Sequence, residues 1–272
     1  MMATADSVKA KIQGLINKAN ETTGQNDATL TEAVNHLKDG YGQGGGGDNY
    51  YDTFWDNYQD SGNRASYADL FSGGGWNNNT FKPKYDIRPL NGSMSSCFYA
   101  SQINGDLVEI LAALGLVMDT SKCTSFNSTF NSTWFTRLGV IDTSGMSSSS
   151  NLTQMFISSK RLVTIDKLIL KSDGSQSFTN TFAQCSELEN ITIEGVIGNT
   201  IDLHWSTKLS KASITSIINA LAPPESGISG LTVTLSQAAV DRISEEENSN
   251  IWWWMLADKN DGIRPNWNIV LA

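Results

Sequence analysis

Apolar positions in this chain recur at a fixed offset of 26 residues. Phe126 and Phe130 stand over Leu152 and Phe156, and these stand over Phe178 and Phe182. Downstream, Leu162 matches Leu188 and Ile165 matches Ile191, with β-rich tails at Leu168, Ile169 and Leu170 and at Thr192 and Ile193. The copy before these keeps the pattern with one residue deleted, as Phe135, Leu138, Val140 and Ile141. The stretch from Leu114 to Cys123 is echoed by that from Leu138 to Met146, so at least four units are present. A few apolar residues per unit, with polar residues between, cannot close a core alone; each unit must bury its apolar face against its neighbours.

The flanks read differently. Ser7 can cap a first helix with Val8, Ile12, Leu15 and Ala19 at spacings of 4, 3 and 4. A second helix begins with a capping box, Thr29 to Glu32, carries Leu30, Ala33, Val34 and Leu37 on one face, and stops at Gly40. Such short helices are marginal alone, so this seam needs a partner, either the other helix or copies of itself. The glycine-rich run 40–47 is a tether, because no Lys-Ser/Thr follows it and no strand precedes it. Tyr50, Tyr51, Phe54, Trp55 and Tyr58 stand where the first unit has to be closed against water. Phe81, Tyr85 and Ile87 then lead into an irregular unit with Phe98, Ile103, Leu107, Ile110 and Leu111. Beyond Gly198, Ile214, Ile217, Ile218 and Leu221 make a helical face that Pro223 and Pro224 end. Leu231 to Leu235 alternates like a strand, Trp267 to Leu271 reads as the last strand, and the Trp252–Trp254 triplet between them reads as cap packing.

Tetratricopeptide and ankyrin arrays need longer units of two helices, whereas a tail of the form Leu-xx-Ile-x-Ile followed by glycine suits a strand. Phe178, Phe182, Cys185, Leu188, Ile191, Ile193 and Gly195 together resemble a unit of the BspA-type leucine-rich repeats. The resemblance implies an α/β fold, a leucine-rich-repeat solenoid with short parallel strands, preceded here by an N-terminal α-helical segment.

Composition narrows the chemistry. With 39% hydrophobic and 9% aromatic residues, the 272-residue chain reads as globular. No run reaches the length of a membrane span, so no membrane insertion is expected. A net charge of −9 argues against nucleic-acid binding, which rests on Lys and Arg clusters. Acid gathers between Asp48 and Asp60 and again between Asp241 and Asp261, and reads as solvated cap surface. Cys97, Cys123 and Cys185 make no disulfide framework, and Cys185 shares its column with Ser159 and Thr133, which reads as a small packed position. The two histidines, His36 and His204, have no nucleophile elbow and no metal-ligand spacing around them. Asp258 to Gly262 is half of a calcium loop without its closing Glu. The expectation is a protein with no catalytic residues, cofactor or metal, and not an enzyme.

One column carries positive information. Four residues after the second Phe of each unit stand Gln102, Trp134, Lys160 and Ser186. A column of that mixture faces solvent, since a buried unpaired Lys or Gln would cost several kcal/mol. Tyr99 and Asn131 come from the column one residue after that Phe. Tyr99, Gln102, Asn131, Trp134 and Lys160 are therefore the candidate binding ridge, of a composition suited to recognising protein or glycan.

Taken together, the helical phrases around Ser7 and Leu30, Gly40 to Gly42 and the BspA-type units resemble virion structural proteins of phages and prophages that infect gut Firmicutes. That resemblance implies a fibre or tail-tip component, assembled in the bacterial cytoplasm and acting outside it. Its expected parts are a helical attachment and oligomerisation segment (1–39), a linker (40–48), a solenoid cap (49–84), a repeat solenoid (85–203) and a C-terminal repeat and cap (204–272). The expected partners are a host surface protein or glycan, other virion proteins through the N-terminus, and further copies of the chain in a homo-oligomer such as a trimer. A bacterial repeat adhesin or glycan-binding protein is the alternative, although no export signal or wall anchor is legible; a glycan-degrading enzyme is the third class. Val8, Ile12, Leu15, Leu30, Val34 and Leu37 are assigned to oligomerisation. Light scattering on the full chain should accordingly give a mass above the 29.6 kDa of one copy; a monomer with Val8 to Leu37 intact removes that assignment.

Overall fold

A computed structural model describes residues 13, 16, 17, 67–83, 85–89, 92–146, 152–246 and 264–272. The oligomerisation residues Val8, Ile12, Leu15, Leu30, Val34 and Leu37, the second expected helix, the glycine tether, the aromatics from Tyr50 to Tyr58 and the Trp252–Trp254 triplet lie outside the described residues. The chain divides into two compact units, Met1–Gln59 with Gly74–Lys82, and Asp60–Gly73 with Pro83–Ala272. In the first, Trp76 and Phe81 are buried. Thr80 closes a turn there by accepting from the Asn77 amide at 2.9 Å and donating to the Gly75 carbonyl at 2.7 Å.

The second unit is α/β with parallel sheets. Strands β1 (Asn104–Asp106), β2 (Trp134–Asp142), β3 (Thr164–Ile169) and β4 (Asn190–Glu194) form one sheet in chain order, every pair parallel. A short helix, α1 (Leu107–Ala112), follows β1 directly, its first amides capped by the Asp106 carboxylate. The sheet's inward residues include Phe135, Leu138, Ile141, Ile165, Leu168, Ile191 and Ile193, all buried. Between strands the chain turns back across the core and brings in the phenylalanines. Phe98, Phe130, Phe156 and Phe182 lie ring over ring, with successive centroids 5.5, 5.8 and 5.4 Å apart, and Phe71 extends the row at 5.2 Å from Phe98. Offset ring contacts of this kind add about 0.5–1.5 kcal/mol per pair to the area they bury.

The turns are held by the backbone. The amides of Leu152, Gln154, Phe156 and Ser158 donate to the carbonyls of Ser177, Thr179, Thr181 and Ala183, and the same comb joins Met94, Ser96, Phe98 and Ala100 to Ser125, Asn127, Thr129 and Asn131. Residues Tyr67, Asp69, Phe71 and Gly73 bond in the same way to Ser93, Ser95, Cys97 and Tyr99. Aiming alternate amides along one direction requires left-handed backbone at two places in every turn. These are Asp69 and Gly73, Ser96 and Ala100, Ser128 and Ser132, Gln154 and Ser158, then Asn180 and Gln184. Each non-glycine residue there costs about 1–2 kcal/mol, which the paired amides offset. Small hydroxyl and thiol groups finish the satisfaction: Thr129 donates to Met94, Thr133 to Phe130, Thr181 to Leu152 and Cys185 to Phe156, all at carbonyl oxygens and all buried.

The first sheet ends at β4 because a helix covers its edge. In α2 (Lys211–Ala220), Ser213 Oγ accepts from the Ile191 amide at 2.9 Å and Ser216 Oγ from the Ile193 amide at 2.8 Å. Two side chains thus stand in for the next strand, a way of blunting an edge that would otherwise recruit another chain. Strands β5 (Ile201–Leu203), β6 (Thr232–Leu235) and β7 (Asn268–Leu271) form a second parallel sheet, with α3 (Gln237–Glu246) after β6.

The structure departs from the sequence reading in two particulars. Leu107, Ile110 and Leu111 belong to a helix that the irregular unit did not announce, because six residues are too few to display a helical period. Val140, placed with the apolar pattern, is 48% exposed, since β2 turns its inward face at Leu138 and Ile141 and leaves Val140 outside.

Phe156→Ala should destabilise the chain by about 3–5 kcal/mol, because it empties a position stacked on both sides; a denaturant midpoint shift smaller than that of an exposed control such as Tyr99→Ala would show the row to be dispensable. Gly195 has φ +96°, and a Cβ there would meet the Leu170 carbonyl. Gly195→Ala should therefore lower the melting temperature measurably, whereas an unchanged melt would mean that the β3–β4 contact yields without cost.

Candidate functional site

The deletion in the β2 copy decides which side chains meet. In the turns, equivalent residues are 26 apart, as in the Thr133 hydroxyl facing that of Ser159 at 3.2 Å. In the strands the offset is 27, as in Leu138 paired with Ile165. The missing residue therefore falls between Thr133 and Arg137, the first residue of β2 paired with β3, and Trp134 lies beside Arg161 instead of Lys160. The guanidinium of Arg161 sits over the Trp134 ring, 4.3 Å from its centroid. Arg161 Nη1 also donates to Asn104 Oδ1 at 3.0 Å, and Asn104 is the β1 partner of Trp134. A cation over an indole face is attractive because of the ring's quadrupole, and the amide fixes the fork in rotation.

Trp134 keeps 39% of its surface exposed and Tyr99 45%. Gln102 and Lys160 are also exposed, whereas Asn131 and Ser186 are half-buried. Asn131 is drawn inward because its Oδ1 accepts from Ser132 Oγ at 2.8 Å and its carbonyl from the Ala100 amide. Among the described residues no ring contact or hydrogen bond joins Tyr99 to Trp134. The expected ridge is thus resolved into a tight group of Trp134, Arg161 and Asn104, with Lys160 next in sequence, and a separate exposed Tyr99. Asn104 and Arg161 were not singled out from the sequence. The signal for them was the one-residue deletion, which moves each strand partner one place along.

Across the same sheet Arg137 links three strands. Its Nε and Nη2 reach the two oxygens of Asp166 at 2.7 and 2.8 Å, and Nη1 reaches Asp106 at 3.1 Å. The Asp166 hydrogen bonds, then those of Asp106, hold the guanidinium firmly charged. Because both acids are satisfied here and Asp106 also caps α1, this cluster holds the sheet together. Two hollows open elsewhere on this unit. One, of about 290 Å³, lies between α1 and β2 and is lined chiefly by apolar residues such as Val108, Leu111, Val117 and Val140. The other, an open groove of about 830 Å³, lies between β4 and α2 and is lined by Thr192, Thr215, Ser216 and Asn219.

His204 Nδ1 faces Asp202 Oδ1 at 2.7 Å, and its ring tilts against Trp205 at 4.9 Å. Trp205 is 47% exposed, a second surface tryptophan that the sequence did not single out as such. Among the described residues no group of three or more His, Cys, Asp and Glu is placed to hold a metal ion, and no helix is long and apolar enough to cross a membrane. Comparison with protein-family models, with curated proteins and with solved structures finds no match to this chain.

The three thiols are buried and free. Burial pushes all three up, Cys185 to about 12 and Cys97 and Cys123 well above the usual thiol value of 9.0; Cys123 is raised further by Asp119 and Asp142. In the native chain they should resist alkylation by iodoacetamide at pH 8 and react on unfolding. The linkage has a definite sign. Above pH 9 the unfolded chain releases thiol protons that the native chain retains, so stability falls as pH rises from about 9 towards 12. Fast native-state alkylation, or a denaturant midpoint that is flat across that range, would contradict this burial.

Proposed function

We propose that the chain is a receptor-binding structural component of a phage virion, a fibre or tail-tip protein that is not an enzyme. Its 26-residue units stack as a leucine-rich-type solenoid of the BspA kind, and the surface of that solenoid engages a protein or glycan of the host cell. The observation that carries the reading is Trp134: a large aromatic left 39% exposed on a parallel sheet, with the Arg161 guanidinium over its ring and that guanidinium bonded in turn to Asn104. Exposing an indole gains nothing for folding, and holding it rigid lowers the entropy lost on binding, which is how recognition surfaces use aromatics. The comb of backbone hydrogen bonds and the phenylalanine row support the solenoid part of the proposal, since neither leaves the outer face much to do in folding. The segment before residue 40, whose sequence pattern is the ground for expecting helices, would attach the protein to its virion and assemble copies of it, so that weak contacts add by avidity.

The test is binding of the full chain to intact Firmicute cells. Saturable binding that falls about tenfold or more in Trp134→Ala and less in Tyr99→Ala is the expected outcome. No binding to any cell tested would overturn the receptor-binding reading.

A further inference from the structure

Arg161 is distinct among the described arginines. Arg88 pairs with Asp86, Arg137 with Asp106 and Asp166, and Arg242 with Glu246, while Arg264 donates to the carbonyls of Leu221 and Asn219. Among the described residues Arg161 meets neither a carboxylate nor a backbone carbonyl; its partners there are one amide oxygen and one ring face. A guanidinium has five N–H donors in a planar fork, and a single bond to Asn104 leaves most of that fork turned to solvent. Lys160, adjoining it, is exposed and makes no ion pair among the described residues. In a chain of net charge −9, Arg161 and Lys160 are thus two cations adjacent in sequence that make no ion pair among the described residues. The fork is also preorganised. Asn104 and Trp134, neighbours across β1 and β2, hold it from two sides, so little side-chain freedom remains to be lost when an anion arrives.

We propose that Arg161, Lys160 and Trp134 form a subsite for a sugar residue carrying one carboxylate or phosphate. This rests on the reading of the Trp134 region as a recognition surface and names its ligand. The guanidinium fork matches the two oxygens of either anion. Lys160 supplies a second charge at no geometric demand, and the indole surface left open beside Arg161 offers an apolar wall to the C–H face of the sugar ring. The overall charge selects the extent of the ligand. A polyanion such as nucleic acid would place further charges over acidic surface, whereas a single anionic group is felt only within a screening length of about 8–10 Å.

The experiment is a calorimetric titration of the full chain with three probes at millimolar concentration: glucuronic acid, glucose 6-phosphate and neutral glucose. At least one acidic sugar should bind at least about tenfold more tightly than glucose, and added salt should weaken it. Whether carboxylate, phosphate or both bind identifies the anion, and each of these results supports the subsite. Arg161→Gln, which removes the charge and the fork, should lose about tenfold in that affinity. Lys160→Gln should lose less, and Lys122→Gln, an exposed cation outside the group, nothing. Unchanged thermal melts should accompany all three, because the side chains are at the surface. Glucose binding as well as the acidic sugars, binding of none of them, or acidic-sugar affinity unmoved in Arg161→Gln would each overturn the subsite. The cell assay separates the two claims: binding that persists in Arg161→Gln and is lost in Trp134→Ala overturns the anionic ligand and leaves surface recognition standing.

Discussion

The row of phenylalanines is the interaction on which the rest of the second unit depends. Each ring from Phe98 to Phe156 is clasped between neighbours contributed by other turns. A ring can reach that position only if the chain returns to the same place after every turn. Close packing then leaves no tolerance for a turn of a different depth, because a gap of half an ångström to one ångström already forfeits much of the dispersion attraction. The other features follow from this condition: left-handed residues paired four apart, amides aligned in combs, and small hydroxyls and a thiol capping the phenylalanine carbonyls.

Holding the core this way leaves the outer positions unconstrained. The turns satisfy their backbone through neighbouring turns and their interior through aromatic and aliphatic packing, so the outward side chains are free to vary. The surface therefore carries local arrangements with little bearing on folding, among them the Trp134 and Arg161 pair. Where the surface does have a structural task it is met with charge or hydroxyls. Arg137 ties three strands through two aspartates, and Ser213 and Ser216 finish the edge of β4.

How much was legible from residues alone depends on the range of the interaction. The parallel α/β character, the inward phenylalanines, the helix around Ile214 and Ile217 and the last two strands could all be read, because each is encoded in the spacing of residues near in sequence. The exposure of Gln102, Trp134 and Lys160 was legible as well, since a column that mixes Trp, Lys and Gln is not compatible with a common core. The small column of Thr133, Ser159 and Cys185 likewise proved buried, at the carbonyls the phenylalanines leave behind.

The partner of Trp134 was decided by the tertiary structure. A single deletion between Thr133 and Arg137 changes the offset from 26 to 27, and a pattern of apolar residues cannot say on which side of Trp134 the deletion falls. The outward turn of Val140 and the serines that replace a strand beside β4 belong to the same class. Each is set by a hydrogen bond or register between segments twenty or more residues apart, and such contacts leave no period in the chain that makes them. By itself, then, the sequence determined what must be buried and how often; which polar side chains would meet on the surface was decided only when the turns were stacked, because register is a property of two strands and not of one.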